Sequence, residues 1–341
     1  MSAAANITIH ASQFPEAVRL DLLDSLRSRK VNHKFHYDSF KQTQKWLALH
    51  QAYSPSRTDP ECAAAYRQSF AATTQHLTPA GVHLIGLGCG GGQKDAALLR
   101  LLRDSGSEVF YTPSDVSVAM VLVARQSALS VLPETNCFPL VCDLATAHDL
   151  PPLLKTIVPG SASRSASRST ETAALKRLFT FFGMLPNFEP DTILPRLAGL
   201  VNPGDHLLLS ANLAPGNDYA AGVERVLPLY DNELTRDWLM TFLLDLGIEK
   251  TDGELGFGIE EQPTPVPLKR IIALFHFIRN RVVEVESQRF EFTAGESIRL
   301  FFSYRHTPPL VRSMLDQHGL KVLDEWVTPS AEEGVFLAVR R

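Results

Sequence analysis

Between residues 15 and 75 the apolar positions recur at helical spacing. Val18, Leu20, Leu22, Leu23 and Leu26 form one set, and Trp46, Leu47 and Leu49 another. Residues 53–60 interrupt them, because Pro55 and Pro60 restrict both themselves and the residues before them; a turn is predicted there. From residue 81 short apolar runs alternate with helical stretches. The runs are 82–85, 109–111, 138–141, 178–182 and 206–210, and the intervening helices fall near 96–102, 120–128, 150–157 and 192–200. Five strands alternating with helices predict an α/β fold with a doubly wound, mostly parallel sheet. Such sheets bind ligands beyond the carboxyl ends of their strands.

Residues 215–305 break the alternation. They contain a helical stretch near 238–246 and strand patterns at 270–278, 282–287 and 289–292, which read as an inserted α+β lobe. The chain then returns with a helix near 310–318 and two strands, 321–324 and 334–339, joined as a hairpin at one sheet edge. Residues 160–172 are rich in Ser, Arg and Ala without apolar period, and read as an exposed, mobile loop. The expected division is 1–60 as the helical N-terminal part of the substrate lobe and 61–214 as the cofactor-binding core. Residues 215–305 form the rest of the lobe, and 306–341 return to the core.

Composition narrows the function classes. The 341 residues hold 33 Lys+Arg against 37 Asp+Glu, a formal charge of -4, which argues against a nucleic-acid-binding surface. Cys62, Cys89, Cys137 and Cys142 have no CxxC spacing, so neither a zinc site nor a disulfide framework is expected. No run approaches a membrane span, and the N-terminus lacks the basic and apolar regions of a signal peptide. The expectation is a reduced, cytoplasmic protein with no membrane partner; the oligomeric state is left open.

The densest chemical signal is 86–92, Gly-Leu-Gly-Cys-Gly-Gly-Gly, between a strand and a helix. Glycines there let backbone approach a ligand closely. Gly86, Gly88 and Gly91 satisfy GxGxxG, and Asp115 at the end of the second strand can hold ribose hydroxyls. This pattern serves NAD enzymes and S-adenosylmethionine (SAM) enzymes alike, and a turn without a ligand also satisfies it. The C-terminal hairpin favours the SAM class, whose sheets typically end in an added antiparallel strand, by analogy of fold.

Five stretches together resemble the histidine-specific, SAM-dependent Nα-methyltransferases of ergothioneine biosynthesis and their relatives that methylate tryptophan derivatives. Phe35-His36-Tyr37-Asp38 followed by Tyr53-Ser54-Pro55-Ser56-Arg57 is similar to the family's "YD" motif and "YYPTR" turn. Leu87-Gly88-Cys89-Gly90 with Lys94 is similar to the "LGSG" loop and the lysine region that meets the methionine carboxylate of SAM. Residues 182–190, Phe-Gly-Met-Leu-Pro-Asn-Phe-Glu-Pro, are similar to "GSTIGNFEP", whose Asn grips the substrate's amino-acid head. Leu229-Tyr230-Asp231 is similar to "AYDD", and Gly295-Glu296 through Ser303 to the stretch that reads the histidine side chain.

The resemblance implies a Rossmann-like class I methyltransferase fold and SAM as cofactor, held by Gly86, Gly88, Gly90, Lys94, Asp115 and Asp143, the last near the adenine amine. Asn187, Tyr230 and Tyr37 would orient the amino-acid head, and Tyr53, Ala273, Phe301 and Ser303 would line the substrate. Plainer roles exist for several: Tyr37 and Tyr230 as core tyrosines, Asn187 as a turn residue, Asp143 as a helix N-cap, and Phe301 and Phe302 as core. The eleven histidines are scattered, and His306 and His318 read as packing or surface residues, so no metal is expected.

Four departures bear on the substrate. Gly86 stands where the family usually has an acidic residue, and Ser54 replaces the second Tyr of the turn. Phe301 falls where the family has a Glu that hydrogen-bonds imidazole, and Ala273 where it has a larger side chain. Losing a hydrogen-bonding partner removes much discrimination for a polar side chain. The expected reaction is therefore SAM-dependent methylation of the α-amino group of a free amino acid or derivative, histidine-like or aromatic, with tryptophan-like included. The alternatives are an NAD(P)-dependent oxidoreductase and a SAM-binding protein without catalysis.

Overall fold

A computed structural model describes residues 4–77, 81–158, 175–262 and 268–341; the stretch expected as a mobile loop at 160–172 lies outside them. The strands are β1 (Thr8–Ile9), β2 (Val82–Leu87), β3 (Val109–Asp115), β4 (Leu140–Val141), β5 (Lys176–Phe181) and β6 (His206–Asn212), followed by β7 (Gly253–Gln262), β8 (Leu268–Phe277), β9 (Arg281–Val285), β10 (Gln288–Phe292) and β11 (Ser297–Arg305), then β12 (Leu320–Val327) and β13 (Glu333–Arg340).

The main sheet has eight strands in the order β1-β4-β3-β2-β5-β6-β13-β12. β1 to β6 run parallel, and β13 is antiparallel to both β6 and β12. This is the doubly wound class I methyltransferase arrangement, with the antiparallel strand inserted near the edge rather than forming it. The strand alternation assigns each face its own core. Ile85 and Leu87, Phe179 and Phe181, and Leu207 and Leu209 pack with the helices Leu150–Thr156, Pro190–Leu200 and Pro308–Gln317. Val82 and Leu84, Leu178, Leu208, and Val335 and Leu337 pack on the other side with Pro60–Leu77 and Gln93–Asp104. Both faces are buried, as a parallel sheet requires.

Winding reverses between β2 and β5, which are neighbours in the sheet. The loops leaving their carboxyl ends are 88–92 and 182–189. The crevice between them is where such sheets place ligands.

The second unit is a three-stranded antiparallel sheet, β11-β8-β7, with the β9–β10 hairpin. It shares one hydrophobic core with N-terminal residues Leu23, Leu26 and Phe35 and with Trp238, Leu239 and Phe242 of the helix Glu233–Asp245. Several elements here differ from the periodicity reading. β7 carries three glycines and three glutamates at a sheet edge, so its sequence lacks a strand signal. In β11 a register shift between Arg299 and Phe301 breaks the alternation, and Leu300, Phe301 and Phe302 are buried in succession. A helix at Tyr219–Val226 and the two-residue β1 are further additions. The stretch 53–60 contains one helical turn, Pro55–Thr58, with Pro55 at its first position where a missing N–H costs nothing.

Candidate functional site

The β2/β5 crevice opens into a cavity of about 330 Å³, which the glycine loop, Asp95, Asp115, Asn187 and Asn212 help to line. Its floor depends on glycine at two positions. Gly88 (φ +64°) and Gly90 (φ +50°) have left-handed backbone, and a Cβ at Gly90 would press the Trp46 ring at 3.1 Å. Such a bare backbone cradle beside an acid at the end of the next strand suits a nucleoside-bearing ligand.

Asp115 occupies that strand end. Gly90 N–H donates to its Oδ2 and Ser117 N–H to its Oδ1, each at 3.1 Å, so the carboxylate ties the loop to β3. Burial raises its pKa to about 6 against these backbone donors. Tyr37 also lines the cavity. Burial, and then the nearby Asp115 charge, push its phenol upward, so it stays a hydrogen-bond donor at neutral pH.

Lys94 Nζ donates to Tyr66 Oη at 2.7 Å and lies 3.8 Å from Glu333 Oε1. Tyr66 Oη in turn donates to Glu333, as does Cys62 Sγ at 3.3 Å. Burial lowers the Lys94 pKa, and Glu333 opposes that. Lys94 thus faces the cavity as a held cation.

Asn187 ends a 3-10 turn, Leu185–Asn187, and its side-chain amide has no protein partner among the described residues. Two residues on, Glu189 is fixed: Arg270 Nη1 donates to its Oε1 at 2.7 Å and Tyr304 Oη to its Oε2 at 2.6 Å. The acid of the 187–190 stretch therefore pins the loop carrying Asn187 to β8 and β11. Tyr53 stands at the mouth, more than half exposed.

Several expected site residues sit elsewhere. Gly86 lies inside β2, behind the loop. Asp143 is buried but does not line the cavity; its Oδ1 accepts from Ala145 N–H at 2.9 Å and Lys34 Nζ lies 3.8 Å away, while Cys142 and Leu144 on either side do reach the wall. Tyr230 and Ser303 meet each other instead: Tyr230 Oη donates to Ser303 Oγ at 2.9 Å, and Arg305 Nη2 donates to Tyr230 at 2.8 Å. Asn212, which does line the cavity, lies 3.5 Å from both hydroxyls and connects them to it. Ala273 and Phe301 are cross-strand partners in the lobe core. A run of rings leads there from the cavity: Tyr37 to Trp238 at 5.5 Å, Trp238 to Phe301 at 5.9 Å, and Phe301 to Tyr230 at 6.1 Å.

Sequence reasoning missed Trp46, Asp95, Asn212 and Glu333. Trp46 was visible only as part of an amphipathic helix, and Glu333 only as hairpin loop. Asn212 closes β6 just past the apolar run. Asp95 alone left a trace, an acid directly after Lys94 on the helix that follows the glycines.

The family model described as histidine-specific methyltransferase, SAM-dependent, matches residues 18–233 and 267–340. The chain belongs to this family. It is a SAM-dependent methyltransferase, and the NAD(P)-dependent oxidoreductase alternative is set aside. The methyltransferase is 24% identical over 294 residues to the N-methyltransferase imqF of Aspergillus flavus, covering 83% of this chain and 73% of that one. Among solved structures, magnesium protoporphyrin IX methyltransferase from Synechocystis PCC 6803 aligns with a TM-score of 0.44 at 14% identity, over 89% of this chain and 95% of that one. The 1,6-didemethyltoxoflavin-N1-methyltransferase of Burkholderia thailandensis aligns with a TM-score of 0.39 at 13% identity, over 88% of each chain. Among the described residues no helix of the methyltransferase is long and apolar enough to cross a membrane, and no group of three or more His, Cys, Asp or Glu is placed to hold a metal ion.

Proposed function

We propose that this methyltransferase transfers a methyl group to the amine of a free amino acid or close derivative whose side chain is apolar or aromatic. The observation that carries the reading is the pairing of a free Asn187 amide in the cavity wall with the ring series Tyr37, Trp238, Phe301 and Tyr230 behind it. Phe301 offers neither acceptor nor charge to an imidazole, and its β8 partner is the small Ala273. Trp238 lies in residues 234–266, outside the stretches that the family model matches.

SAM when bound supplies an electrophilic methyl group on a sulfonium. The protein's part is positioning, which by itself can supply effective molarities of ~10⁵ M or more. The Asn187 amide has both a donor and an acceptor, and its carbonyl can accept from the amine and aim the nitrogen lone pair. Tyr37, held protonated, can donate to the substrate carboxylate or to a water beside it. Tyr230, whose hydroxyl donates to Ser303, reaches the cavity only through Asn212. The cavity lining is more apolar than polar, which disfavours the ammonium form and supports the neutral amine needed for attack.

Calorimetric titration of the protein saturated with S-adenosylhomocysteine (SAH) tests this, with His, Trp and Tyr as ligands. Binding of Trp or Tyr is expected. Tight binding of His alone would overturn the aromatic preference. Failure of every amine to draw SAH from SAM would favour SAM binding without catalysis.

A further inference from the structure

Position 86 has no side chain, and the space one would fill is occupied. A Cβ built on Gly86 would lie 2.3 Å from Asp95 Oδ2 and 3.2 Å from Tyr111 Oη. Asp95 belongs to the helix Gln93–Asp104, so a carboxylate reaches from that helix to the end of β2. It is 3% exposed and forms part of the cavity wall. Tyr111 Oη donates to Oδ2 at 2.7 Å and Thr180 Oγ1 to Oδ1 at 2.8 Å.

Both protein partners are neutral hydroxyls. Each carboxylate oxygen still has capacity for a second donor. Among the described residues no cation is ion-paired with Asp95. The adjacent Lys94 is engaged by Tyr66 and Glu333. A buried carboxylate without a counter-ion is costly, and sites keep one where a ligand supplies the charge. Thr180 in β5 and Phe182 just past its end are two apart in sequence, which puts them on one face. Thr180 touches Asp95, and Lys94 Nζ lies 5.6 Å from the Phe182 ring. An anion and a cation are thereby presented side by side, which suits the zwitterionic end of an amino acid.

We propose that Asp95 binds the α-ammonium of the methionine moiety of SAM, the helix supplying a carboxylate in the space that a side chain at position 86 would otherwise fill. This deepens the SAM assignment and rests on it. Gly86 is then required to be small, because any side chain there would displace the Asp95 carboxylate.

The linkage to pH follows. Burial lifts Asp95 to about 6 in the unliganded protein, so at pH 6 part of the population is protonated there. Binding an ammonium expels that proton. The groups facing Asp95 are Lys94 on its own helix, Tyr111 on β3 and Cys89 in the loop, with Asp115 beyond the loop. Tyr111 and Cys89 are both pushed upward by burial and do not titrate near pH 6; Asp115 does, so a variant is needed to isolate Asp95.

The test is calorimetric binding of SAH and of 5′-methylthioadenosine, which lacks the amino-acid end, to wild type, D95N and the exchange variant G86D/D95G. D95N is expected to weaken SAH roughly 10- to 100-fold, the range of a lost charged hydrogen bond, with methylthioadenosine affinity unchanged. The exchange variant is expected to recover most of the loss. Wild type should release a proton on binding SAH at pH 6, seen as a buffer-dependent heat that shrinks in D95N. Equal weakening of both ligands, or SAH affinity in D95N equal to wild type, would overturn the proposal. If D95N does not fold, D95S gives the same ratio. Wild type that binds no SAH would refute the SAM reading itself, which is a different outcome.

Discussion

Glu189 is the clearest case of a side chain outside the cavity that the site depends on. Its two oxygens take one hydrogen bond each, from Arg270 Nη1 at 2.7 Å and Tyr304 Oη at 2.6 Å. Glu189→Ala removes both and leaves Arg270, 3% exposed, with Glu260 as its remaining carboxylate. Hydrogen bonds to charged groups contribute about 1.5–3 kcal/mol each. Glu189 is 45% exposed at the side chain, so solvent screening reduces its share. A loss of about 2 kcal/mol is expected for E189A and about half that for E189Q, whose amide oxygen can still accept from Tyr304. With an unfolding entropy of about 2.1 cal/mol/K per residue, a chain of 341 residues then melts roughly 3 °C lower for the alanine variant. The functional effect should be selective. Asn187 sits on the loop that Glu189 pins, whereas the glycine loop and Asp115 are held by their own bonds. Scanning calorimetry, SAH titration and steady-state kinetics with a responsive amine would measure all three. KM for the amine should rise and SAH affinity should hold. An unchanged amine KM with a lowered Tm, or loss of SAH binding in parallel, would refute the idea that Glu189 acts by positioning Asn187.

Further outcomes follow from the same geometry. Gly88→Ala forces a left-handed residue whose Cβ would lie 2.7 Å from Met184 Cγ; a stability loss of about 1–3 kcal/mol and failure to bind SAH are expected in denaturation and titration experiments. Asp95 binds its proton more tightly folded than unfolded, about 6 against 3.8, so its contribution to stability is greatest below pH 3.8 and is lost as pH rises through about 6; the unliganded D95N protein should therefore show a smaller fall in Tm between pH 5 and 7 than wild type, and an equal fall would contradict the buried charge. Phe301→Glu places an acceptor beside Tyr230 and Trp238; it should lower Tm through lost apolar burial and shift binding from Trp toward His, and titration showing no change in the His-to-Trp ratio would place the substrate side chain away from Phe301.

The two levels of description divide along physical lines. Local pattern determined the alternation of strands and helices, because burial on both sheet faces demands continuous apolar runs, and it located the glycine loop and Asp115, because close backbone approach restricts residue type, while the resemblance of residues 182–190 pointed to Asn187. Motif order then placed Lys94, Tyr37 and Tyr53 at one site. Tertiary structure alone decided what lies beside what. It put β13 between β6 and β12, joined the N-terminal helix to the second sheet in one core, and used a register shift in β11 to bury Phe301 against Trp238 while Ser303 meets Tyr230. It also brought Asp95 into the space left by Gly86, nine positions earlier in the chain. That substitution in space is invisible along the sequence, since a carboxylate's role depends on where its oxygens end, and the helix rather than the strand carries them there.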